Sequence, residues 1–186
     1  METGSRHQCL IYEGAPSRHL PAIAAALRQN LEQDYRCLYL NSPPMAAGMA
    51  SYLAASGVDI AHERARSSLI LSSAQHLVEG KFDISRMIDG LEDSAHQALK
   101  DGFAGLWASG DMAWEFGSHI DVNVLIEYER RLEELFDRQP RLIGICQYHA
   151  GTLTSEATRI GTLVHRSIFV SETLSVINPY YQLSLS

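Results

Sequence analysis

The chain has 186 residues, 46% of them apolar and 20% charged, and a formal net charge of −7. This length sets the expectation of a single domain over residues 1–186 that buries roughly 70% of its unfolded surface, and the composition excludes a disordered segment. The acidic balance offers nothing to attract nucleic acid or an anionic membrane surface, so neither is an expected partner.

Five short runs rich in β-branched, leucine and aromatic residues predict strands, with helical patterns between them. QCLIY (8–12) leads through a glycine turn into Leu20, Ile23, Ala24, Leu27 and Leu31 at helical spacing. RCLYL (36–40) is followed by Pro43 and Pro44, which open a Met/Ala-rich helix that Gly57 can close. After SLILS (68–72), Asp83 is placed to cap a helix carrying Ile84, Met87, Ile88, Leu91, Ala95 and Leu99. AGLWAS (104–109) precedes the stripe Leu125, Tyr128, Leu132, Leu135 and Phe136, which ends before Pro140. RLIGICQY (141–148) is followed by Ala157, Ile160, Leu163 and Val164. In the tail, SIFV (167–170) and LSVI (174–177) are expected as antiparallel edge strands. Alternating helices and nearly continuous apolar strands predict an α/β three-layer sandwich with a mostly parallel central sheet.

No apolar run approaches the ~20 residues of a membrane helix, and the N-terminus lacks a signal-peptide apolar region. Cys9, Cys37 and Cys146 form no CxxC pair and sit in strand-like surroundings. They read as reduced core residues of a cytoplasmic protein, and Cys146 is a weak nucleophile candidate because its apolar setting disfavours the thiolate.

The first strand–turn–helix has the layout of a phosphate-binding loop, which needs G-x-x-x-x-G-K-[ST]. Counted from Gly14, the second glycine, the lysine and the hydroxyl positions hold His19, Leu20 and Pro21. ATP hydrolysis is therefore not expected. A helix N-terminus with Arg18 beside it leaves room for weak anion binding, although an ordinary βα turn is the simpler reading.

In open parallel sheets a ligand lies outside the carboxyl ends of the strands. Those ends offer Tyr12 and Glu13, Asn41 and Ser42, Gln75 and His76, Asp111, Trp114 and Glu115, and Gln147, Tyr148 and His149. Such a mixture suits a small, partly apolar molecule better than a triphosphate. Glu13, Asp111, Glu115 and His149 could together serve a metal or acid/base chemistry, but their spacing has no metal signature, so no metal, cofactor or catalytic residue is assigned. Trp107 is expected in the core, and Trp114 either walls a pocket or covers the sheet edge. His7, His62, His96, His119 and His165 read as surface or cap residues, and Glu129, Arg130, Arg131, Glu133 and Glu134 as a solvated helix face.

The order of several stretches resembles the MEDS family, the methanogen/methylotroph sensory domain known from a repressor that responds to dichloromethane. The resemblance rests on HQCLIYE, RCLYLN, GKFDISRMIDGLEDSAHQALKDGFAGLWASGDMAWEF, LIEYERRLEELF, IGICQYH and VHRSIFV, and covers most of the chain. It implies a degenerate RecA/KaiC-like, P-loop-related fold without a working Walker A motif. It also implies a non-catalytic role in signal transduction, sensing a small ligand such as a hydrocarbon derivative and regulating a partner or transcription. With the turn residue Arg18, the implied ligand-side positions are Tyr12, Glu13, Asp111, Trp114, Glu115, Gln147 and Tyr148. No helix-turn-helix or kinase region is recognised, so output is expected through a signalling partner, a homodimer or a segment outside this chain. The alternatives are an interaction or oligomerisation module and a residual nucleotide- or metal-dependent hydrolase.

Overall fold

A computed structural model describes residues 6–117 and 120–182; His119 lies outside them. In chain order the elements are β1 (His7–Tyr12), a 3-10 turn (Pro16–Arg18), α1 (Leu20–Glu32), β2 (Arg36–Leu40), α2 (Pro43–Ala55), α3 (Ile60–Ala65), β3 (Leu69–Ser72), β4 (Leu77–Val78), β5 (Lys81–Phe82), α4 (Ile84–Lys100), β6 (Leu106–Asp111), α5 (Met112–Phe116), α6 (Val122–Arg138), β7 (Leu142–His149), α7 (Ser155–Leu163), β8 (Ser167–Ser171) and β9 (Leu174–Ile177).

The main sheet has the order β3-β2-β6-β7-β1-β8-β9. All of its neighbours pair in parallel except β8 and β9. Helices after steps in one direction along the sheet, α1 and α2, pack on one face; α4, α6 and α7, after steps in the other direction, pack on the opposite face. Right-handed crossovers require this segregation. The result is the expected three-layer sandwich, and side-chain alternation along each strand divides the interior into two cores. Tyr12, Tyr39, Trp107 and Ile145 pack with α1 and α2, while Cys9, Leu40, Leu106 and Cys146 pack with α4, α6 and α7.

Local chemistry fixes the helix ends. Asp83 Oδ1 accepts the Arg86 amide at 2.8 Å, and Thr154 Oγ1 accepts that of Ala157 at 3.1 Å. α2 closes where Gly57, at φ +90°, allows its own amide to reach Ala54 O and that of Val58 to reach Leu53 O; the paired bonds form a Schellman motif.

Three features depart from the sequence reading. α3 fills the second connection, capped by Asp59 accepting the His62 amide at 2.9 Å. A two-stranded hairpin, β4–β5, turns through Glu79 and Gly80 at φ 51° and 76°, positive values that a type I′ turn needs. In the tail, only β9 is antiparallel: α7 carries the chain back across β1, so β8 joins the sheet in parallel.

Candidate functional site

Parallel strands deliver their carboxyl ends to one edge of the sheet. There Tyr12 of β1 is in register with His149, and Asp111 of β6 with Gln147, both partners on β7. Tyr12 and Asp111 face the α1 side, where the Tyr12 hydroxyl donates to Asp111 Oδ2 at 2.6 Å with both residues buried. Asp111 also caps α5, its Oδ1 accepting the Trp114 amide at 2.9 Å. Burial holds its carboxyl above the usual range against the lowering effect of these hydrogen bonds. Burial also raises the Tyr12 hydroxyl, and the Asp111 charge adds to the effect.

The polar centre continues inward along the same strands. Gln147 Nε2 donates to Ser109 Oγ at 2.8 Å, and Ser109 donates in turn to Ile145 O at 2.9 Å. Asn41 Nδ2 donates to the Tyr39 hydroxyl at 2.9 Å. Two imidazoles flank the Tyr12 ring: His149 is stacked at 4.8 Å and His19 tilted at 4.6 Å. His149 Nε2 lies 2.8 Å from Gly14 O, tying the β1–α1 turn to β7.

The predicted residues therefore divide into groups. Tyr12, Asp111 and Gln147 share this buried centre, while Glu13 and Arg18 are exposed on the turn above it. Glu115 is buried, with Oε2 3.2 Å from His76 Nδ1, and the Trp114 carbonyl accepts from Gln75 Nε2 at 2.5 Å. His19 Nε2, Trp114 Nε1 and Glu115 Oε1 are buried without a hydrogen-bond partner among the described residues. Tyr148 points the other way, into the core beneath α6 and α7. Asp111, Glu115 and His149 each bond separate partners, and Glu13 stays in solvent, so these four make no ligand set.

The opposite face corrects the sequence reading of His7, His165 and Glu129, all three of which are buried. The Tyr148 hydroxyl donates to Glu129 Oε1. His7 Nδ1 lies 2.8 Å from Glu133 Oε2, and His165 Nδ1 lies 2.7 Å from Gly161 O. Burial raises the Glu129 carboxyl and holds His165 well below the ordinary imidazole range. Glu129 is inside because it falls on the helix's apolar stripe, four residues after Leu125 and three before Leu132. Its exposed neighbours Arg130 and Glu134 do form a surface ion pair. Beside the cluster lies a cavity of about 30 Å³ lined by Met87, Leu91, Tyr128, Leu132, Phe136 and Cys146.

The arrangement presents no activated nucleophile among the thiols: burial pushes Cys9 up to about 12 and raises Cys37 and Cys146 as well. No helix among the described residues is long and apolar enough to cross a membrane.

The fold places the chain among three-layer α/β domains. Its sequence matches MEDS, the methanogen/methylotroph, DcmR sensory domain, over residues 6–166, and the chain belongs to this family of sensory domains. No curated protein matches the sequence.

Proposed function

We propose that this sensory domain is non-catalytic and binds a small, weakly polar molecule, such as a hydrocarbon derivative, at the carboxyl ends of its strands. The observation that carries the reading is the set of orphaned polar atoms there: His19 Nε2, Trp114 Nε1 and Glu115 Oε1 are buried with no partner among the described residues. Buried polar groups are nearly always satisfied, so three on the turns after β1 and β6 ask for a guest. His19 touches the Tyr12 ring, and Trp114 and Glu115 belong to α5, the helix that Asp111 caps through the Trp114 backbone amide. The rings of His19 and His149 enclose that of Tyr12, and the loop lacks the lysine and hydroxyl a triphosphate requires. Tyr12, Glu13, Arg18, Asp111, Trp114, Glu115 and Gln147 make up the ligand side, and Tyr148 supports β7 from behind.

A ligand signals only through its differential affinity for two states of the protein. Here the states differ in the β1–α1 turn and α5, which the ligand would bridge, and output passes to a signalling partner or a second copy and on to transcription in the cytoplasm. A thermal-shift screen of small halogenated and methylated compounds against nucleotides tests the site. A bound ligand at 100 times its Kd stabilises by ~2.7 kcal/mol, or roughly 5–10 °C in a domain of this size, and Tyr12→Phe should shrink the shift. Stabilisation by magnesium–ATP instead, or by no compound at all, would overturn the reading.

The runner-up, an interaction module, is favoured by β9. Among the described residues this strand ends the sheet with an unpaired edge, and it exposes Leu174, Val176 and Ile177, the last 84% exposed. Such an edge is a template for another strand. A second copy related by a twofold axis would pair β9 with β9 antiparallel.

A further inference from the structure

Four side chains on the α6–α7 side of the sheet aim their donor atoms at one point. His7 on β1, Glu129 on α6, Cys146 on β7 and His165 just past α7 each offer one ligand atom, and these atoms lie within 4.8 Å of one another. Glu129 Oε2 is 3.7 Å from both His7 Nε2 and His165 Nε2, and Cys146 Sγ is 3.6 Å from His7 Nε2. Among the described residues this is the grouping of His, Cys and carboxylate compact enough to hold a cation.

The hydrogen bonds around the cluster fix what those atoms present. A carboxylate and a backbone carbonyl only accept, so His7 Nδ1 donates to Glu133 and His165 Nδ1 donates to Gly161 O. In the neutral imidazoles both Nε2 atoms are therefore lone pairs, and both face a carboxylate oxygen. His165 Nε2 and Glu129 Oε2 are buried with no hydrogen-bond partner among the described residues. Acceptors set against one another at this range repel unless a proton or a metal cation sits between them. The outer bonds also follow the pattern of metal sites, in which a ligating histidine gives its second N–H to a carboxylate or carbonyl and a ligating carboxylate is itself hydrogen-bonded, as Glu129 Oε1 is by Tyr148.

We propose that His7, Glu129, Cys146 and His165 form a closed tetrahedral site for a first-row divalent cation of borderline softness, zinc above all. Zinc–nitrogen and zinc–oxygen bonds near 2.0–2.2 Å and a zinc–sulfur bond near 2.3 Å put ligand atoms roughly 3.3–3.6 Å apart. Three of the six pairs, at 3.6 and 3.7 Å, need only a small contraction; the others, which reach as far as 4.8 Å, must close further as the side chains draw in around the ion. The mixed nitrogen, sulfur and oxygen set fits zinc, cobalt(II) or iron(II) and disfavours calcium and magnesium, which take oxygen. On binding, the Cys146 thiol proton leaves to solvent and the thiolate takes the metal. Four protein ligands complete the coordination, so the site is of the structural kind. It pins β1, α6, β7 and the end of α7 together, and it forms one end of the apolar cavity through Cys146.

The site lies across the sheet from the Tyr12–Asp111 centre and is tested without any sensed ligand. The purified full chain is assayed for metal by mass spectrometry, stripped with a chelator and titrated anaerobically with cobalt(II). We expect roughly one equivalent of metal per chain, four-coordinate d–d absorption and a thiolate-to-cobalt charge-transfer band. Cys146→Ser should abolish that band. Tyr148→Phe, which keeps the ring in the core, should weaken zinc binding about 10–100-fold. A chain that is folded by circular dichroism yet takes up no zinc and shows no cobalt bands overturns the proposal. So does metal binding that persists unchanged in both variants.

Discussion

The Tyr148 hydroxyl of β7 and the Glu129 carboxylate of α6 are hydrogen-bonded to each other with both side chains out of reach of water. The bond joins the sheet to α6 beside the His7 and His165 imidazoles. Removing the hydroxyl leaves a buried acceptor with one fewer donor, a loss of about 1–3 kcal/mol. Tyr148→Phe should accordingly lower the urea midpoint without changing the slope of the transition. The measurement is made with chelator present, so that metal affinity does not enter.

Gly161 provides a sharper test of the same packing. It lies inside α7, where alanine would ordinarily stabilise by about 1 kcal/mol. A Cβ there, however, would sit 2.6–2.8 Å from the Tyr148 ring. Overpacking of a rigid core costs roughly 1–3 kcal/mol, and the displaced ring would also take its hydroxyl away from Glu129. Gly161→Ala should therefore destabilise, as a lower thermal midpoint, against the helix-propensity expectation. An equally stable or more stable variant would mean that the ring can move freely.

Much of this architecture was legible because buried parallel strands leave continuous apolar runs and because helix caps have local chemistry. The carboxyl-end rule pointed to Tyr12 and Asp111, which bond each other, and to Gln147, which is in register with Asp111. The rest depends on tertiary neighbours. Glu129 sits among charged residues in EYERRLEE and read as solvated, although its place on the Leu125–Leu132 stripe was a usable signal. His7 looked like a terminal surface residue until strand alternation put it on the same face as Cys9 and opposite Gly144. Tyr148 and Gln147 adjoin in sequence, and only their alternation, one toward α6 and one toward α1, separates a supporting role from a ligand-side one. The short β4–β5 hairpin turns on the dipeptide Glu79–Gly80, a weaker cue than Asn-Gly or Asp-Gly.

Asp111 gives a pH dependence whose sign follows from its burial. Its folded-state carboxyl titrates above the unfolded value of about 3.9. Between the two values the folded chain keeps a proton that the unfolded chain has released, so stability falls as pH rises through that window. The contribution is complete below about pH 3.9 and lost above the folded-state value, with a slope of at most about 1.4 kcal/mol per pH unit for one group. Asp111→Asn cannot titrate. The stability of the natural chain minus that of the variant, from urea curves across pH, should therefore decline with rising pH and then level off. A difference that rises with pH would show that Tyr12 and the α5 amides stabilise the charge more than burial opposes it.

The free edge of β9 decides how far self-association contributes to output. Leu174, Val176 and Ile177 stand exposed on a strand whose other side is paired with β8, and an edge of this kind is blunted by a single lysine. If two copies pair there, Val176→Lys should convert a concentration-dependent dimer into a monomer in light scattering coupled to size exclusion. At concentrations where the natural chain is itself monomeric its thermal midpoint should hold, because surface changes away from packed features stay within roughly 0.5 kcal/mol. A natural chain that is monomeric at high concentration leaves β9 to a different protein. A dimer indifferent to the lysine places the contact on another surface and removes this edge from the signalling route.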